Sequence, residues 1–493
     1  MRDPEIHEPV VLALDVGTSS ARAALFDARG YMLPDTLASR PHSPRTTQDG
    51  GSELDSDTLL EDVCSAVDET LAAAAGVTVA AVGTTSFWHS IIGVDARGEA
   101  LTPVYTWADT RARVVLPEIA STLDTEALYD RTACPLHSSY VPPKLLWLRR
   151  TRPDLFGRVR RWLSPGEYVH LRLLGETACG EAMASATGMY DQEARTWYES
   201  ALDTAGITPD ELAPLVSISQ PIASLRREYA SRWPALASAT WYPAVGDGAT
   251  SNFGSGAARP GVAALNYGTS AAIRTVVAQR MHLPRGLWLY RVDAHRLLLG
   301  GAVSNAGNIY AWLLRTLGLT PEEAEEYMLR AQPGTSGLEF VPHLAGERAP
   351  DWQAGATGTL SGIRLDTSRE EILQAGVEGV LVELLTVHNM LVNTVEVREL
   401  IVSGGAVRKS EALRKSLTDA LGRPLRVSLE TEPSARGAAL LALEAIGAIE
   451  DAAQVPARTS ELPTPDQGRH GTYASIERAR TARRPGYRTG DSV

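Results

Sequence analysis

This 493-residue chain has few cysteines, no long apolar runs and no excess of positive charge. Its three cysteines are widely spaced, which excludes a disulfide framework and a cysteine metal site and is typical of a reducing compartment. The net charge of −12 argues against nucleic acid or an anionic membrane as a partner. No signal-peptide core follows the N-terminus, and the longest apolar stretch, residues 71–82, is too short to span a bilayer. We therefore expect a cytoplasmic protein with no membrane partner.

Two common nucleotide-binding motifs, the P-loop and the Rossmann fingerprint, are also absent. The chain has instead LALDVGTSSARAALFDARG at residues 12–30, which predicts a strand, a tight turn and a second strand. The small turn residues Gly17, Thr18 and Ser19 leave room for N–H groups and hydroxyls to close around phosphate oxygens. Asp15 is placed to hold Mg²⁺, a cation that prefers oxygen ligands. Taken alone, an ordinary β-hairpin explains this stretch equally well.

The hairpin resembles the first phosphate loop of the actin-like ATPases, which implies a second phosphate loop and an adenosine segment later in the chain. Residues 265–270, LNYGTS, repeat the strand-then-turn pattern, and residues 401–406, IVSGGA, end an apolar run with two glycines. The nucleotide contacts that follow from the resemblance are Gly268, Thr269, Ser270, Gly404 and Gly405. The three elements in this order predict an α/β protein with two actin-like (ribonuclease H-like) ATPase domains flanking a deep interdomain cleft.

Periodicity predicts several regular elements around these loops. The first half has a helix over residues 57–75 and a strand over 77–84. The second half has a capping box at Thr320, a long buried helix over 370–397 and a helix over 410–421. The alternation of strand and helix patterns in the first half agrees with the α/β class.

The composition suggests two domains and a tail. Glycine and proline accumulate over residues 252–260, a pattern typical of a boundary. We therefore predict an N-terminal domain over residues 1–253, carrying the first phosphate loop, and a C-terminal domain over 254–449, carrying the second phosphate loop and the adenosine segment. Residues 450–493 are polar and rich in proline and arginine, which predicts a peripheral, partly disordered tail.

Four segments resemble motifs of the FGGY family of carbohydrate kinases, and the similarity extends from about residue 10 to residue 447. They are WADTR at 107–111, GDG at 246–248, HLAGERAP at 343–350, and residues 358–378. The resemblance implies that the chain uses ATP and Mg²⁺ to phosphorylate a sugar hydroxyl. Three positions depart from it. Gly376 differs from the residues usual at its position in the last segment, and Gly248 stands where xylulokinases commonly have Asn or Gln. Arg22 stands where the family often has lysine, which should matter little if it faces solvent.

Within the family, WHSII at residues 88–92 and ASATGM at 184–189 look closest to the bacterial gluconokinases. The implied reaction is phosphorylation of D-gluconate to 6-phosphogluconate. A xylulokinase or another pentulose or polyol kinase is the alternative, because xylulokinases share much of this pattern. A non-catalytic, nucleotide-gated actin-like protein is a remoter alternative.

Residue chemistry and resemblance together suggest a catalytic and a sugar-binding set. Asp247 follows an apolar strand between two glycines and resembles the family's catalytic aspartate, the base that accepts the hydroxyl proton; a plain Asp-Gly turn is the alternative. Trp107, Asp109 and Arg111 would form a sugar-binding wall if the segment is extended, and a loop with a local ion pair is the alternative. His89 as a donor to a sugar oxygen rests on the resemblance alone.

Three further expectations concern charge and the nucleotide cleft. Arg111 is the cation nearest in sequence to the sugar wall, so we predict that it pairs with a substrate carboxylate. Glu347 and Arg348 could form a structural ion pair, and Asn305 either lines the nucleotide cleft or caps the following helix. The expected partner is one small-molecule sugar or sugar acid, and a homodimer is left open.

Overall fold

The computed structural model describes residues 6–483, and their first half contains one large sheet with its helices. The strands are β1 (Val10–Val16), β2 (Ser20–Phe26), β3 (Ala38–Pro41), β4 (Arg45–Thr46), β5 (Ser52–Leu54), β6 (Val79–Ser86), β7 (Ile92–Val94), β8 (Val104–Tyr105), β9 (Arg161–Leu163), β10 (Cys179–Gly180), β11 (Tyr190–Asp191), β12 (Thr196–Trp197), β13 (Leu215–Val216), β14 (Thr240–Trp241) and β15 (Val245–Gly246). The helices are α1 (Ser56–Ala73), α2 (Leu116–Thr122), α3 (Thr125–Thr132), α4 (Val141–Thr151), α5 (Pro153–Phe156), α6 (Pro165–Leu174), α7 (Glu181–Ala184), α8 (Glu199–Ala205), α9 (Arg227–Arg232) and α10 (Asp247–Gly254).

The second half of the described chain contains the other large sheet. Its strands are β16 (Val262–Tyr267), β17 (Ala271–Val277), β18 (Trp288–Arg291), β19 (Leu297–Val303), β20 (Glu339–Val341), β21 (Thr359–Ser361), β22 (Glu399–Ser403), β23 (Arg426–Ser428) and β24 (Thr459–Glu461). Its helices are α11 (Gly307–Leu317), α12 (Pro321–Arg330), α13 (Arg369–Thr394), α14 (Gly405–Lys409), α15 (Glu411–Leu421), α16 (Pro433–Ala445) and α17 (Gln467–Ala482).

The two large sheets repeat one arrangement, an antiparallel set of strands continued by parallel ones. In the first sheet β1, β2 and β3 are antiparallel neighbours, and β6 runs parallel to both β1 and β14. In the second sheet β16, β17 and β19 are antiparallel, and β22 runs parallel to both β16 and β23. Parallel strands end at the same edge of a sheet, so β1, β6 and β15 end together, as do β16 and β22. The residues after these strands are therefore brought to one edge of each sheet.

Helix α16 connects the two halves. It follows the second sheet in the chain, but it packs against β1, β6 and α10 of the first half. Gly254 and Gly437 allow this approach, because a Cβ atom on either would overlap backbone atoms of the opposing helix. The guanidinium of Arg436 donates to the carbonyl oxygens of Gly30 (2.9 Å), Gly254 (2.8 Å) and Pro456 (2.8 Å). A boundary near residue 253 thus divides the strands of the two sheets, but α16, which lies after that boundary, packs into the core of the first half.

Helix α13 forms the centre of the second core, as the apolar run over residues 370–397 predicts. It begins with a capping box at Ser368 and Glu371, and nearly all its middle residues are buried. Among residues 6–483 it is the one helix long and apolar enough to cross a membrane by length and composition. However, 83% of that apolar window is buried inside the protein, so packing in the core accounts for its composition.

The expectation of a peripheral, partly disordered tail is wrong for residues 452–483. Strand β24 pairs with β23 at the edge of the second sheet, and α17 packs against α13 and α15 with Tyr473 only 1% exposed. Arg469 in α17 is paired with Asp419 at 2.6 Å and donates to the carbonyl oxygen of Ala331 at 3.0 Å. The polar composition arises because one face of α17 remains exposed. Residues 484–493 lie outside the described residues.

Candidate active site

The candidate site begins where β1, β6 and β15 end. In register, both Asp15 of β1 and Val245 of β15 stand beside Thr85 of β6. Asp247 follows β15 by one residue and opens α10, while β6 continues directly into Trp88 and His89. The parallel pairing therefore brings Asp15, His89 and Asp247, which are remote in sequence, to one edge of the first sheet.

Asp247 lies in a crowded, desolvated position. Burial raises the pKa of its carboxyl group to about 6; the positive charge of Arg274 opposes this shift and the negative charge of Asp15 adds to it. One carboxylate oxygen accepts a hydrogen bond from the N–H of Gly248 at 2.7 Å. A Cβ atom at Gly246 or Gly248 would overlap the Trp88 indole, so these glycines let the ring pack beside the aspartate. The glycines on either side of Asp247 therefore allow close packing of the Trp88 ring, in addition to any role in a turn.

Asp15 is paired with Arg22, the residue that departs from the family pattern. The Nη1 of Arg22 donates to Asp15 Oδ2 at 3.1 Å, and its Nε lies 3.6 Å from Glu432 Oε2. Burial raises the pKa of Asp15, and Arg22 partly offsets that rise. The Arg22 side chain is only 30% exposed and is paired with Asp15, so the condition under which this departure would matter little is not met. Arg22 joins the first hairpin to the segment that precedes α16.

The turn between β1 and β2 contacts Trp107 of the WADTR segment. It closes through the N–H of Gly17, which donates to the carbonyl oxygen of Ser20 at 3.1 Å, and Ser19 at its tip is exposed. The indole Nε1 of Trp107 donates to Thr18 Oγ1 at 3.2 Å. A movement of this turn would therefore shift Trp107 through the hydrogen bond to Thr18.

The glycine loops of the second sheet lie at the ends of β16 and β22. Gly268 and Thr269 are exposed, and their carbonyl oxygens accept hydrogen bonds from the backbone at the start of α11. Gly404 has a φ of 131°, and a Cβ atom there would overlap the carbonyl group of Tyr267. Gly405 has open space where its Cβ atom would be. The two loops thus form a bare backbone surface at one edge of the sheet.

The WADTR segment forms the loop with a local ion pair, not an extended wall. Asp109 accepts hydrogen bonds from the N–H of Ser52 (3.1 Å) and from Arg111 Nε (3.1 Å). Arg111 also donates to Glu53 Oε1 at 2.7 Å and lies over the Trp147 ring at 4.7 Å. Arg111 is therefore already neutralised by two carboxylates, which does not support its predicted pairing with a substrate carboxylate. Its structural effect is to hold the loop that carries Trp107.

His89 is held in a strained conformation as a neutral imidazole. Its φ of 58° lies in the left-handed region, which is uncommon for a residue with a side chain. Burial lowers its pKa to about 3. The Nδ1 atom lies 2.8 Å from the carbonyl oxygen of Ala186, so Nδ1 carries the proton and Nε2 is left as an acceptor. The expected donation from His89 to a sugar oxygen is thus reversed: Nε2 would accept a hydrogen bond from a hydroxyl group.

Glu347 and Arg348 do not pair with each other in the described part of the chain. Glu347 Oε1 faces His343 Nε2 at 3.7 Å, on the side of α13. The Arg348 guanidinium lies 5.1 Å from the Trp107 ring centre and donates to the carbonyl oxygen of Val303 at 3.1 Å. Its Nε is buried without a hydrogen-bond partner among residues 6–483. The expected ion pair is therefore wrong, and Arg348 contributes a positive charge to the site.

Asn305 supports the loop that carries Arg348. Its Oδ1 accepts from the N–H of Ala345 at 3.0 Å, and its Nδ2 donates to the carbonyl oxygen of Gly346 at 2.9 Å. Ala306, not Asn305, is the N-cap residue of α11, and it makes no side-chain capping hydrogen bond. The capping alternative is wrong, and both ends of the amide are used within the protein.

Sequence reasoning missed Arg274 as a site residue. It lies on β17, four residues after Ser270, and is buried beside Gly248. The available signal was a charged residue inside the apolar strand AAIRTVV, because a buried charge needs partners and marks a special environment. Sequence reasoning did name Arg348, but no local pattern indicated that it stacks on Trp107.

Two sheets of this topology, with carboxylates at one set of strand ends and bare glycine loops at the other, are the arrangement of an actin-like ATPase fold. Family models for the N-terminal domain of the FGGY carbohydrate kinases match residues 10–254, and those for the C-terminal domain match residues 263–446. The chain belongs to the FGGY family of carbohydrate kinases, which use ATP. The predicted two-domain actin-like fold is thereby confirmed.

Individual relatives agree on the class of enzyme but differ in substrate. The gluconokinase of Bacillus subtilis is 29% identical over 456 residues, covering 89% of this chain and 88% of that one. The gluconate kinase of Lactobacillus acidophilus has a TM-score of 0.88 and 27% identity, covering 95% of this chain and 96% of that one. A ligand-bound xylulose kinase from Lactobacillus acidophilus also has a TM-score of 0.88, with 28% identity and the same coverage. The chain is a sugar kinase, and these likenesses leave its substrate open.

Proposed function

We propose that this kinase transfers the γ-phosphoryl group of ATP to a sugar acid, converting D-gluconate to 6-phosphogluconate. The observation that carries the proposal is the charge of Arg348. Its guanidinium stacks on Trp107, its Nε has no hydrogen-bond partner within residues 6–483, and no carboxylate there pairs with it. A half-buried cation of this kind favours an anionic ligand, and guanidinium matches the geometry of a carboxylate. Gluconate carries such a group, and xylulose does not.

In this mechanism Asp247 orients the acceptor hydroxyl and takes its proton. Its raised pKa keeps it a competent base near neutral pH, where it is mostly ionised. His89 accepts a hydrogen bond from another hydroxyl through Nε2, and Trp107 offers an aromatic face to C–H groups. The loops at Gly17–Ser19 and Gly268–Ser270 would hold phosphate oxygens from the two sides of the cleft, with Gly404 and Gly405 beside the nucleoside.

The residues at the end of β1 fit Mg²⁺. Asp15 offers a hard carboxylate oxygen; burial raises the pKa of this group, and the positive charge of Arg22 offsets only part of the rise. Mg²⁺ commonly binds one or two carboxylates together with waters and substrate phosphates. When bound, the ion would neutralise charge on the ATP phosphates.

A substrate panel tests the proposal directly. ADP release is measured with gluconate, xylulose and glycerol, and we expect the largest kcat/KM for gluconate. Arg348→Met should lower kcat/KM for gluconate by about 2–5 kcal/mol in transition-state binding, the range for an unpaired buried charge, and affect any xylulose activity much less. Arg111→Met is the matched control, because it should affect both substrates alike by loosening the Trp107 loop. Wild-type preference for xylulose would overturn the gluconate assignment and favour the pentulose alternative. The structural similarity to a xylulose kinase, which equals that to a gluconate kinase, supports this alternative.

A further inference from the structure

Arg274 lies between the proposed base and the second phosphate loop. Its strand, β17, follows that loop directly, and residue 274 stands opposite Ala264 in the β16–β17 hairpin. A Cβ atom on Gly248 would lie 3.0 Å from Arg274 Nη1, which places the guanidinium against the residue that follows Asp247. The side chain thus reaches from the second sheet to the start of α10 in the first half.

The guanidinium is held in place by two asparagines. Its Nε donates to Asn252 Oδ1 at 3.3 Å, and its Nη2 donates to Asn266 Oδ1. The Asn266 amide in turn donates to Ser251 Oγ at 2.9 Å and to Ser403 Oγ. Asn266 precedes the second phosphate loop by two residues, and Ser403 precedes Gly404. The network therefore joins the helix that carries Asp247 to both glycine loops of the second sheet.

Arg274 faces Asp247 without forming a direct ion pair. No carboxylate of residues 6–483 lies within 4.0 Å of its guanidinium nitrogens, but the two groups interact electrostatically: Arg274 lowers the pKa of Asp247, and Asp247 raises that of Arg274. The other groups that face the carboxylate are Asp15 at the end of β1, Arg348 in the 343–350 loop, and the N–H of Gly248. Arg274 is the largest source of positive charge acting on the base.

We propose that Arg274 is a positioning residue for this kinase: its fixed guanidinium orients the Asp247 carboxylate and, through Asn266, ties it to the second phosphate loop. The inference rests on the proposed role of Asp247 as the base. The two neutral amide partners suit this function, because they fix the guanidinium without neutralising its charge. A carboxylate partner would have offset the positive charge of Arg274 and so weakened its electrostatic attraction for Asp247.

The test compares pH profiles of kcat/KM for wild type, Arg274→Met and Arg274→Lys, using whichever sugar the wild type turns over best. Arg274→Met should raise the pH midpoint of the acidic limb by about one unit, the lower end of the effect of a nearby opposite charge. Protonation of the base alone should then lower the rate at pH 7 by about twofold, and loss of positioning should lower kcat further, even on the alkaline plateau. Arg274→Lys keeps a positive charge and should leave the limb close to the wild-type position. Asn266→Ala keeps the arginine but frees it, so kcat should fall with a smaller shift of the limb.

Arg436→Met is the matched control. Arg436 is equally enclosed, but it contacts only backbone carbonyl oxygens, so its loss should lower stability without moving the limb. A folded, active Arg274→Met enzyme whose limb stays at the wild-type position would overturn the inference, as would a change confined to the KM for the sugar. If Arg274→Met fails to fold, an unchanged kcat and limb in Asn266→Ala would overturn it instead. A wild type that prefers a neutral sugar would contradict the gluconate proposal but would leave this comparison valid.

Discussion

Asp247→Asn should inactivate the enzyme and, at alkaline pH, stabilise it. The substitution keeps the acceptor oxygen that bonds the N–H of Gly248, but it removes the charge that burial disfavours. Loss of a base and orienting group lowers turnover by about 10²–10⁴-fold. A base kept in a desolvated position is thus expected to reduce stability in exchange for activity.

The magnitude follows from the raised pKa. The folded value of about 6 against an ordinary value of 3.8 means that ionisation of Asp247 opposes folding increasingly above about pH 4 and fully above about pH 6. One pKa unit corresponds to about 1.4 kcal/mol. The shift of about two units gives an upper bound of about 3 kcal/mol, and it already includes the attraction of Arg274. Because part of the side chain is exposed in the cleft, we expect a gain of about 1–2 kcal/mol. The gain should develop between about pH 4 and 6 and be nearly absent below pH 4.

Urea unfolding of wild type and Asp247→Asn at pH 8 and pH 4 measures this gain. We expect a higher midpoint for the variant at pH 8 and nearly equal midpoints at pH 4. Asp95→Asn is the control, because backbone hydrogen bonds lower the pKa of Asp95 and its charge favours the folded state. A variant that is less stable than wild type at pH 8 would refute the reasoning that Asp247 is strained by desolvation.

Three further predictions concern the same cleft. The kcat/KM for the sugar should fall as the pH drops through about 6, because protonated Asp247 cannot accept a proton; a flat profile from pH 5 to 8 would contradict this. Gly404→Ala should destabilise the protein by about 1–3 kcal/mol and raise the KM for ATP, since its φ is 131° and its Cβ atom would overlap Tyr267; denaturation and ATP titration measure both effects. Asp15→Ala should raise the Mg²⁺ concentration needed for half-maximal activity more than the KM for the sugar, and an unchanged Mg²⁺ requirement would leave Asp15 as a structural partner of Arg22.

The amino-acid sequence by itself determined the local elements and the family. The hairpin of β1 and β2, the core helix α13 and the cap at Thr320 follow from periodicity and turn chemistry, because these patterns depend on neighbours a few residues away. The order of the glycine loops, together with the WADTR and GERAP segments, was sufficient to identify the FGGY kinases and their two-domain fold.

Tertiary structure alone decided which charges are already paired. Arg111 meets Glu53 from 58 positions away, while Arg348 stacks on Trp107 and Arg274 reaches across to the start of α10. No local pattern records these partners, because they depend on how distant strands end at a common edge. The same reason explains the segment after residue 450: its polar composition predicted disorder, but α17 finds its apolar and charged partners on α13 and α15. Composition reports the average environment of a segment, whereas an edge strand or a docked helix depends on the surface that the rest of the fold presents to it.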